Sequence, residues 1–314
     1  MGVRHGDGIS EARSRGQADE RVVVLVLSHN KRAETLRCLD SVARLSYRPL
    51  DVVVVDNGSS DGSADAVALA HPEAHVVRSP VNLGAAGGRN LGIRTIEERF
   101  AYAYILFLDD DTVVDERLAD HLVAALRSDP AAGLATPKAY RLGERGVIAS
   151  AGGMHVRLGR GWIVDVGAGE ADDGRFDQSG GVDSCVGFAV LVRRDVLRAI
   201  GGFNEAFNPY GWEEVDFSLR ARDAGFSIRY APAAVAYHAG GTPGRGYPVP
   251  AYERAKSANY LRLMRRHATP RQWLGFMLTV PARACVVLFR QITRGEWRAA
   301  AARVRGLVDG LRSR

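Results

Sequence analysis

Short runs of apolar residues alternate with amphipathic stretches from residue 21 to about residue 129. The runs VVVLVL at 22–27 and VVVV at 52–55 contain no polar alternation, which is typical of strands buried on both faces of a parallel sheet. Further strands are predicted at 75–78 and 104–108, and helices at 31–45, 63–71 and 86–99. This alternation predicts an α/β fold in which a doubly wound, mostly parallel sheet carries helices on both faces.

The rest of the chain is less regular. Residues 135–183 are rich in glycine and predict irregular structure, whereas the apolar run at 186–192 predicts a strand. A helix is predicted at 213–224, followed by Gly225 at the position that favours a left-handed residue. The predicted organisation is a disordered polar leader (1–20), an α/β half (21–135), a second half (136–250) and a basic helical tail (251–314).

Positive charge is concentrated at the C-terminus. The formal net charge is +6, but residues 251–314 hold 14 Arg and Lys against 3 Asp and Glu, so the tail carries +11 and the rest −5. Charge alone fits either nucleic acid or an anionic membrane. The three cysteines, Cys38, Cys185 and Cys285, are far apart and form no metal-binding or disulfide pattern, which fits a reducing cytoplasm.

An apolar stripe within the tail predicts an amphipathic helix at 273–289. This stretch is short for a membrane span and contains Pro281 and Arg283, so a helix lying on an anionic membrane surface is favoured over a crossing one. The same stripe would also suit packing on the catalytic half or a homodimer interface. Its residues recur at spacings of three and four: Trp273, Phe276, Met277, Val280, Ala284, Val287 and Leu288.

Polar residues directly follow three of the predicted strands. The carboxyl ends of parallel strands meet at one edge of a sheet, where ligands of such folds bind, so these residues are expected to share one rim. They are Ser28, His29 and Asn30, then Asp56, Asn57 and Gly58, then Asp109, Asp110 and Asp111.

Three consecutive aspartates after the strand YILFL are costly unless a cation neutralises them. Carboxylates at alternate positions supply the hard oxygen ligands that Mg²⁺ and Mn²⁺ prefer, often together with substrate phosphates. The alternative is structural, because Asp111 would also cap a helix that begins near Val113. The triplet by itself leaves both readings open.

Asp56 ends the second strand within VVVVDNGSSDGS. A carboxylate there is suited to accept a hydrogen bond from the imide N–H of uracil or thymine, but the motif alone favours an Asx turn from strand to helix. The motif NLGAAGGRN at 82–90 places glycines at the start of a helix, which suits contact with phosphate or ribose.

The chain resembles glycosyltransferase family 2, which has the A-type glycosyltransferase fold, over residues 22–238, about two thirds of its length. Five motifs in the family's order are far more specific together than any one alone. They are VVLVLSHN, VVVVDNGSSDGS, NLGAAGGRNLGI, ILFLDDDT and LVRRDVLRAIGGFNEAFNPYGWEEVDFSLRARDAGF.

The resemblance implies a metal-dependent reaction. Asp109 and Asp111 match the DxD element and His238 matches a histidine that completes the shell of Mn²⁺ or Mg²⁺ in many members. Glu214 occupies the position of the catalytic base, where the family more often has Asp, and Glu213 is the alternative base. The donor nucleotide is expected at Ser28, Asn30, Asp56, Asn82, Gly87, Arg89, Asp109 and Asp110, and the acceptor at Trp212 and Gly187.

The resemblance also implies a substrate class and a location. Residues 21–135 would bind a nucleotide sugar, and 136–250 would bind the acceptor and carry out an inverting transfer to a hydroxyl. The pattern is similar to bacterial rhamnosyltransferases of cell-surface polysaccharide synthesis, which implies dTDP-rhamnose or a UDP-hexose as donor and a glycan or lipid-linked acceptor. A cytoplasmic enzyme held at the inner face of the plasma membrane is expected.

Other classes fit less well. Sugar-phosphate nucleotidyltransferases carry a GxGTRxxP pattern at the first strand, which SHNKRAET lacks, and no GxGxxG motif of a NAD enzyme follows that strand. A non-enzymatic binding protein with a basic tail is the third alternative. No RNA-binding fold signature accompanies the tail aromatics, so no nucleic-acid partner is expected.

Overall fold

Four parallel strands form the first part of the sheet. The computed structural model describes residues 20–240 and 249–312, so the predicted leader up to residue 19 lies outside the described residues. The strands are parallel, as predicted, and lie in the order β3-β2-β1-β4. They are β1 (Val22–Ser28), β2 (Leu50–Asp56), β3 (His75–Arg78) and β4 (Tyr104–Asp109).

Helices cover both faces of this sheet, which confirms the predicted fold class. Those on one face are α1 (Arg32–Ala43), α2 (Ser63–Ala70) and α4 (Leu118–Arg127), packed through Leu39, Val67 and Leu122. Those on the other are α3 (Gly84–Arg99), α5 (Arg194–Ile200) and α6 (Glu213–Asp223), packed through Ile96, Val196 and Phe217. Gly225 follows α6 with φ of 92°, in the left-handed region predicted for it.

The second half adds strands where the sequence predicts irregular structure. These are β6 (Ala132–Arg141), β7 (Ile148–Ala151), β8 (Met154–Arg157), β9 (Trp162–Asp165) and β10 (Gly180–Gly181). With β11 (Ala189–Arg193) and β12 (Ser227–His238) the main order becomes β10-β12-β6-β11-β4-β1-β2-β3, and β11 runs antiparallel to both neighbours. The expectation of irregular structure at 135–183 is therefore wrong in part, and β6 crosses the expected boundary at residue 135.

The chain does not begin a helix after the aspartate triplet. It continues into β5 (Thr112–Val114), which pairs antiparallel with β12, and α4 begins only at Leu118. The helix-cap reading of Asp111 is therefore wrong. The pairing of Thr112 with His238 brings that histidine next to the triplet although the two are far apart in sequence.

Three C-terminal helices pack on the second half of the chain. They are α7 (Val249–His267), α8 (Pro270–Thr293) and α9 (Trp297–Arg312). The Asn259 amide of α7 donates to the carbonyl of Tyr210 at 3.0 Å, and His267 pairs with the buried Asp216 of α6 at 2.8 Å. Gly306 of α9 lies so close to α7 that a Cβ there would be 2.2 Å from the Arg254 carbonyl oxygen. The tail is therefore part of the folded body.

The predicted apolar stripe of α8 is covered only in part, since Met277 is 58% exposed and Val287 is 36% exposed. Phe276 is buried, and a Cβ on Gly275 would lie 2.5 Å from the carbonyl oxygen of Gly159. Phe276 is therefore covered by protein, and the expectation that the rest of the stripe meets a membrane stays a prediction. A further apolar set on α8 is exposed as well: Leu274, Leu278, Phe289 and Ile292.

Among the described residues, α8 alone has the length and composition of a membrane-crossing helix, with 24 residues. Its contact at Gly275 with the turn at Gly159 places protein against one side of it. A helix with protein packed on one side is suited to lying along a surface.

Candidate active site

The strand register brings the predicted polar residues to one rim. Ser28 at the end of β1 pairs with Asp56 at the end of β2, and Leu27 pairs with Asp109 at the end of β4. The sheet thus holds Asp56 and Asp109 on either side of β1, which places the expected nucleobase and metal ends of a donor side by side.

Asp109, Asp111 and His238 form a cluster suited to a divalent cation. One ligand atom from each lies within 4.8 Å of the others, and His238 Nε2 is 3.1 Å from an Asp111 oxygen. The imidazole stacks on the Phe188 ring with centroids 4.1 Å apart, which fixes its orientation. Two carboxylates and one imidazole match the donor set that Mn²⁺ and Mg²⁺ accept in proteins.

Charged neighbours keep Asp111 ionised. Burial alone would raise its pKa, but His238 and Lys31 hold the pKa of Asp111 below its ordinary range. The Lys31 ammonium lies 2.9 Å from Asp111 and 3.1 Å from Asp110. A carboxylate that stays charged without a bound cation is ready to accept one.

Asp110 faces the loop after β1. Its carboxylate accepts from the His29 amide at 3.2 Å and from Lys31, so it ties this loop to the aspartate triplet. Burial raises the pKa of Asp110 to about 7, against the opposing effect of Lys31. Its expected contact with the nucleotide stays a prediction.

Asp56 carries a buried oxygen with no partner. The residue is 6% exposed, and its Oδ1 has no hydrogen-bond partner among the described residues. An unpaired buried acceptor costs free energy unless a ligand supplies a donor. The imide N–H of uracil or thymine would be such a donor.

Asparagines shape the loops beside Asp56. Asn30 has φ of 53° and its side chain accepts from the Ser60 amide at 2.8 Å. The Asn57 amide donates to Asn82 at 3.1 Å, and Asn82 accepts from the Gly84 amide at 2.8 Å. Asn30 and Asn82 are both exposed, so they lie at the rim where a nucleotide would pass.

Two predicted donor residues lie below the rim surface. Ser28 is 1% exposed and its hydroxyl pairs with Thr35 at 2.7 Å. Gly87 is buried in the first turns of α3, where a Cβ would be 3.0 Å from Leu83. In this structure both support the rim from beneath, and their contact with the donor stays a prediction.

Arg89 links the metal cluster to the glutamate pair. It is 4% exposed and donates to Asp109 at 2.8 Å, to Glu213 at 3.1 Å and to the Gly187 carbonyl at 3.1 Å. The second oxygen of Glu213 accepts from the Gly211 amide at 2.6 Å. Both Glu213 oxygens are thus engaged in holding the start of α6.

Glu214 instead lines an open cleft of about 500 Å³. Gly187 and His238 line the same cleft, and a Cβ on Gly187 would be 3.7 Å from Glu214. Burial raises the pKa of Glu214 and the neighbouring charge of Glu213 raises it further. A carboxyl group with a raised pKa in a cleft has the proton affinity that a general base needs.

Trp212 holds a strained backbone conformation two residues before Glu214. Its φ of 72° is in the left-handed region, which is uncommon for a large aromatic residue. The indole N–H donates to the Lys256 carbonyl at 3.0 Å, and the ring lines the cleft. Such strain persists when surrounding contacts enforce it and concentrates at functional sites.

The cleft also contains residues that sequence reasoning missed. Lys256 of α7 and Asp165 of β9 line it, and Lys31 neutralises the aspartate triplet. Burial raises the pKa of Asp165. Lys31 follows the first motif directly, which was a usable signal, but nothing in the sequence around Lys256 or Asp165 points to the site.

Comparison with known proteins identifies relatives along most of the chain. The model of the family described as "Glycosyl transferase family 2" matches residues 23–201. An N-acetylglucosaminyl-diphospho-decaprenol L-rhamnosyltransferase from Mycobacterium tuberculosis is 28% identical over 271 residues, which cover 80% of this chain and 87% of that protein.

Solved structures share the fold. GalNAc-T7, solved with UDP, GalNAc and Mn²⁺, aligns with a TM-score of 0.62 and 17% identity over 78% of this chain and 48% of that one. The mannosyltransferase PcManGT from Pyrobaculum calidifontis, in complex with GDP-Man and Mn²⁺, aligns with a TM-score of 0.58 and 19% identity over 93% and 87%. At these identities the likeness concerns the fold.

Proposed function

The chain belongs to glycosyltransferase family 2, and on that premise we propose that it is an inverting, metal-dependent glycosyltransferase. It moves a sugar from a nucleoside-diphosphate sugar to an acceptor hydroxyl. The observation that carries this proposal is the convergence of Asp109, Asp111 and His238 at the sheet rim with Glu214 in the adjoining cleft.

Asp109, Asp111 and His238 would hold Mn²⁺ or Mg²⁺, since their ligand atoms lie within 4.8 Å of one another. The cation, when bound, neutralises the negative charge of the departing nucleoside diphosphate. Lys31 helps to keep Asp111 ionised, and Arg89 orients Asp109, before any donor arrives. Asp56 supports recognition of uracil or thymine through its unpaired buried oxygen.

Glu214 acts as the general base. It removes the proton from the acceptor hydroxyl, whose oxygen forms the new bond to the anomeric carbon as the bond to the diphosphate breaks. Attack from the face opposite the leaving group in one displacement inverts the anomeric configuration. Glu213 is held by Arg89 and Gly211, so it positions the start of α6.

The rhamnosyltransferase relative supports a candidate donor and a candidate acceptor. That protein is named for L-rhamnosyl transfer to N-acetylglucosaminyl-diphospho-decaprenol, which makes dTDP-rhamnose our first candidate donor and a UDP-hexose the second. A glycan or lipid-linked acceptor of bacterial cell-surface polysaccharide synthesis fits the same likeness. Gly187 and Trp212 line the cleft where its hydroxyl would enter.

A cytoplasmic position at the inner face of the plasma membrane suits such an acceptor. The exposed apolar residues of α8 are flanked by Arg271, Arg290 and Arg294, which are also exposed. An apolar surface edged with arginine favours the headgroup region of an anionic bilayer. The proposed partners are therefore the donor, the acceptor and an anionic membrane surface.

The test is release of nucleoside diphosphate from a panel of nucleotide sugars with Mn²⁺ or Mg²⁺. We expect turnover of one dTDP- or UDP-sugar, stimulated by the matching acceptor. Glu214→Gln is expected to bind this donor as the wild type does but to transfer its sugar much more slowly. Absence of turnover with every donor and cation would overturn the proposal.

A further inference from the structure

An apolar groove lies beside the catalytic cleft, between α7, α8 and α9. It has a volume of about 380 Å³, and Tyr260, Val280, Ala284 and Leu307 form much of its wall. Ile163, Trp212 and Lys256 line both the groove and the cleft. Because the two share these residues, the groove and the cleft adjoin each other.

Trp212 lines the groove and precedes Glu214, the proposed base, by two positions in the sequence. Its ring centroid is 5.7 Å from that of Tyr260, which is 5.7 Å from that of Phe276. This aromatic series leads from the start of α6 to the buried side of α8. The groove therefore offers a hydrocarbon surface that begins next to Glu214.

Lys256 places a positive charge at the junction. Its ammonium lies 4.8 Å from the Trp212 ring centroid and donates to the Tyr252 hydroxyl at 3.0 Å. Within residues 20–240 and 249–312 no carboxylate forms an ion pair with it. By contrast, Arg303, the other cation of the groove, is paired with Glu253. Burial lowers the pKa of Lys256, but Tyr252, Glu214 and Asp165 raise it, so the junction holds a charged ammonium that can attract an anionic group.

The far side of the groove meets the exposed surface of α8. Val287 lines the groove and is itself 36% exposed, and its neighbour Val286 is 51% exposed without lining the groove. A chain in the groove would therefore continue towards the exposed apolar set of α8 rather than into the protein interior.

We propose that this groove binds the hydrocarbon chain of a lipid-linked acceptor, with the linking phosphate at Lys256 and the reactive sugar hydroxyl at Glu214. The inference rests on the proposed transfer reaction and extends it to the chemical class of the acceptor. Such a molecule would place its polar head in the cleft, its anionic link at Lys256 and its apolar chain in the groove.

The experiment measures binding of farnesyl phosphate and isopentenyl phosphate to the full chain by calorimetry, below micellar concentrations. Excess EDTA is present so that the metal cluster does not bind the phosphate. Each buried methylene group strengthens binding about fourfold, so the longer chain is expected to bind at least about tenfold more tightly.

Two adjacent valines provide a matched pair of variants. Val287→Trp fills the groove and is expected to remove the preference for the longer chain, whereas Val286→Trp should keep it. Ala284→Phe is a second way to fill the groove if Val287→Trp fails to fold, as judged by binding of UDP with Mn²⁺. Equal affinity for both chain lengths, or an unchanged preference in a folded groove variant, would overturn the proposal.

Lys256→Met tests the anionic link. It is expected to narrow the affinity gap between farnesyl phosphate and farnesol, and an unchanged gap would contradict the position of the phosphate. Turnover of nucleotide sugars is measured separately. Chain-length-dependent binding without donor turnover would therefore reject the transferase and keep the groove, and the reverse result would reject only the groove.

Discussion

Two neighbouring glutamates occupy different environments at the start of α6. Glu213 is bound by Arg89 and the Gly211 amide, whereas Glu214 lines the cleft. We predict that Glu214→Gln lowers sugar transfer about a hundredfold or more while donor affinity is kept, because it removes the general base. The measurement is transfer rate at saturating donor, beside donor binding by calorimetry.

Glu213→Gln is the control and should be milder. A more severe loss in this variant would identify Glu213 as the base. The Glu214 prediction also concerns pH. Burial raises the pKa of Glu214 well above ~4.3, the ordinary glutamate value, so the deprotonated carboxylate that acts as base forms only at higher pH. Activity should therefore rise as the pH increases through this raised pKa. A flat profile on the acid side would contradict this role.

The metal cluster yields the second prediction. Excess EDTA should abolish turnover, and Asp111→Asn and His238→Ala should each raise the cation concentration needed or abolish turnover, because each removes one ligand of the cluster. His155→Ala serves as control, since that side chain is exposed on β8. Full activity in excess EDTA would contradict the metal role.

The third prediction concerns the nucleobase. With metal present, UDP should bind more tightly than ADP, because adenine has no imide N–H for the buried Asp56 oxygen. Asp56→Asn should weaken UDP binding about tenfold, the scale of one hydrogen bond to a buried charged group. Asp65→Asn, on the exposed side of α2, should leave it unchanged. Equal affinity for ADP and UDP would refute the assignment.

Single residues were predictable from sequence where they end an apolar strand. Asp56 and Asp109–Asp111 follow such strands directly, so their shared rim could be inferred from the topology of a parallel sheet. His238 required the resemblance, because its nearness to Asp111 comes from the pairing of β5 with β12. Lys256 reaches the cleft only through helix packing, which no local pattern encodes.

Among the helices, close contact between α7 and α9 depends on glycine. A Cβ on Gly306 would lie 2.2 Å from the Arg254 carbonyl oxygen, which is backbone and cannot rotate away. We predict that Gly306→Ala lowers the free energy of unfolding by about 1–3 kcal/mol, the usual effect of overpacking, although alanine favours helix. Chemical denaturation measures it.

Gly180→Ala is the control for this prediction, because a Cβ there meets no atom within 4 Å. It should leave the free energy of unfolding nearly unchanged. Equal free energies of unfolding for Gly306→Ala and Gly180→Ala would contradict the close packing of α9 on α7.

The limits of prediction for elements have physical causes. Continuous apolar runs identify β1, β2 and β4 because strands buried on both faces need them. β6 to β9 lie in a glycine-rich segment and depend on pairing with distant strands, which composition does not reveal. In α8 the periodicity was sufficient to predict a helix, but two apolar faces were present and only packing decides which one is covered.

At the scale of the whole molecule, the tail cannot be removed without opening the core. A chain ending near residue 250 would lose α7 and uncover Phe207 and Val215, both fully buried against it. Point variants on the exposed surface of α8 are therefore the better test of membrane binding.

The membrane prediction uses two exposed leucines. The full chain should float with anionic liposomes at low salt and less at high salt. Leu278→Glu on α8 should weaken binding to anionic liposomes about tenfold or more, the effect of losing one buried leucine. Leu69→Glu on α2 should leave this binding unchanged. Absence of flotation with anionic and neutral liposomes alike would leave the tail as a packing or dimerisation element.

One helix carries both the wall of the groove and the exposed apolar surface: Val287 and Phe289 are two residues apart on α8. With the proposed lipid-linked acceptor, the enzyme would meet its acceptor by diffusion in two dimensions. The relevant acceptor concentration is then its mole fraction in the bilayer rather than its amount per volume. Adding inert lipid to a fixed quantity of acceptor should slow turnover by surface dilution, while the apparent KM for the water-soluble donor stays the same.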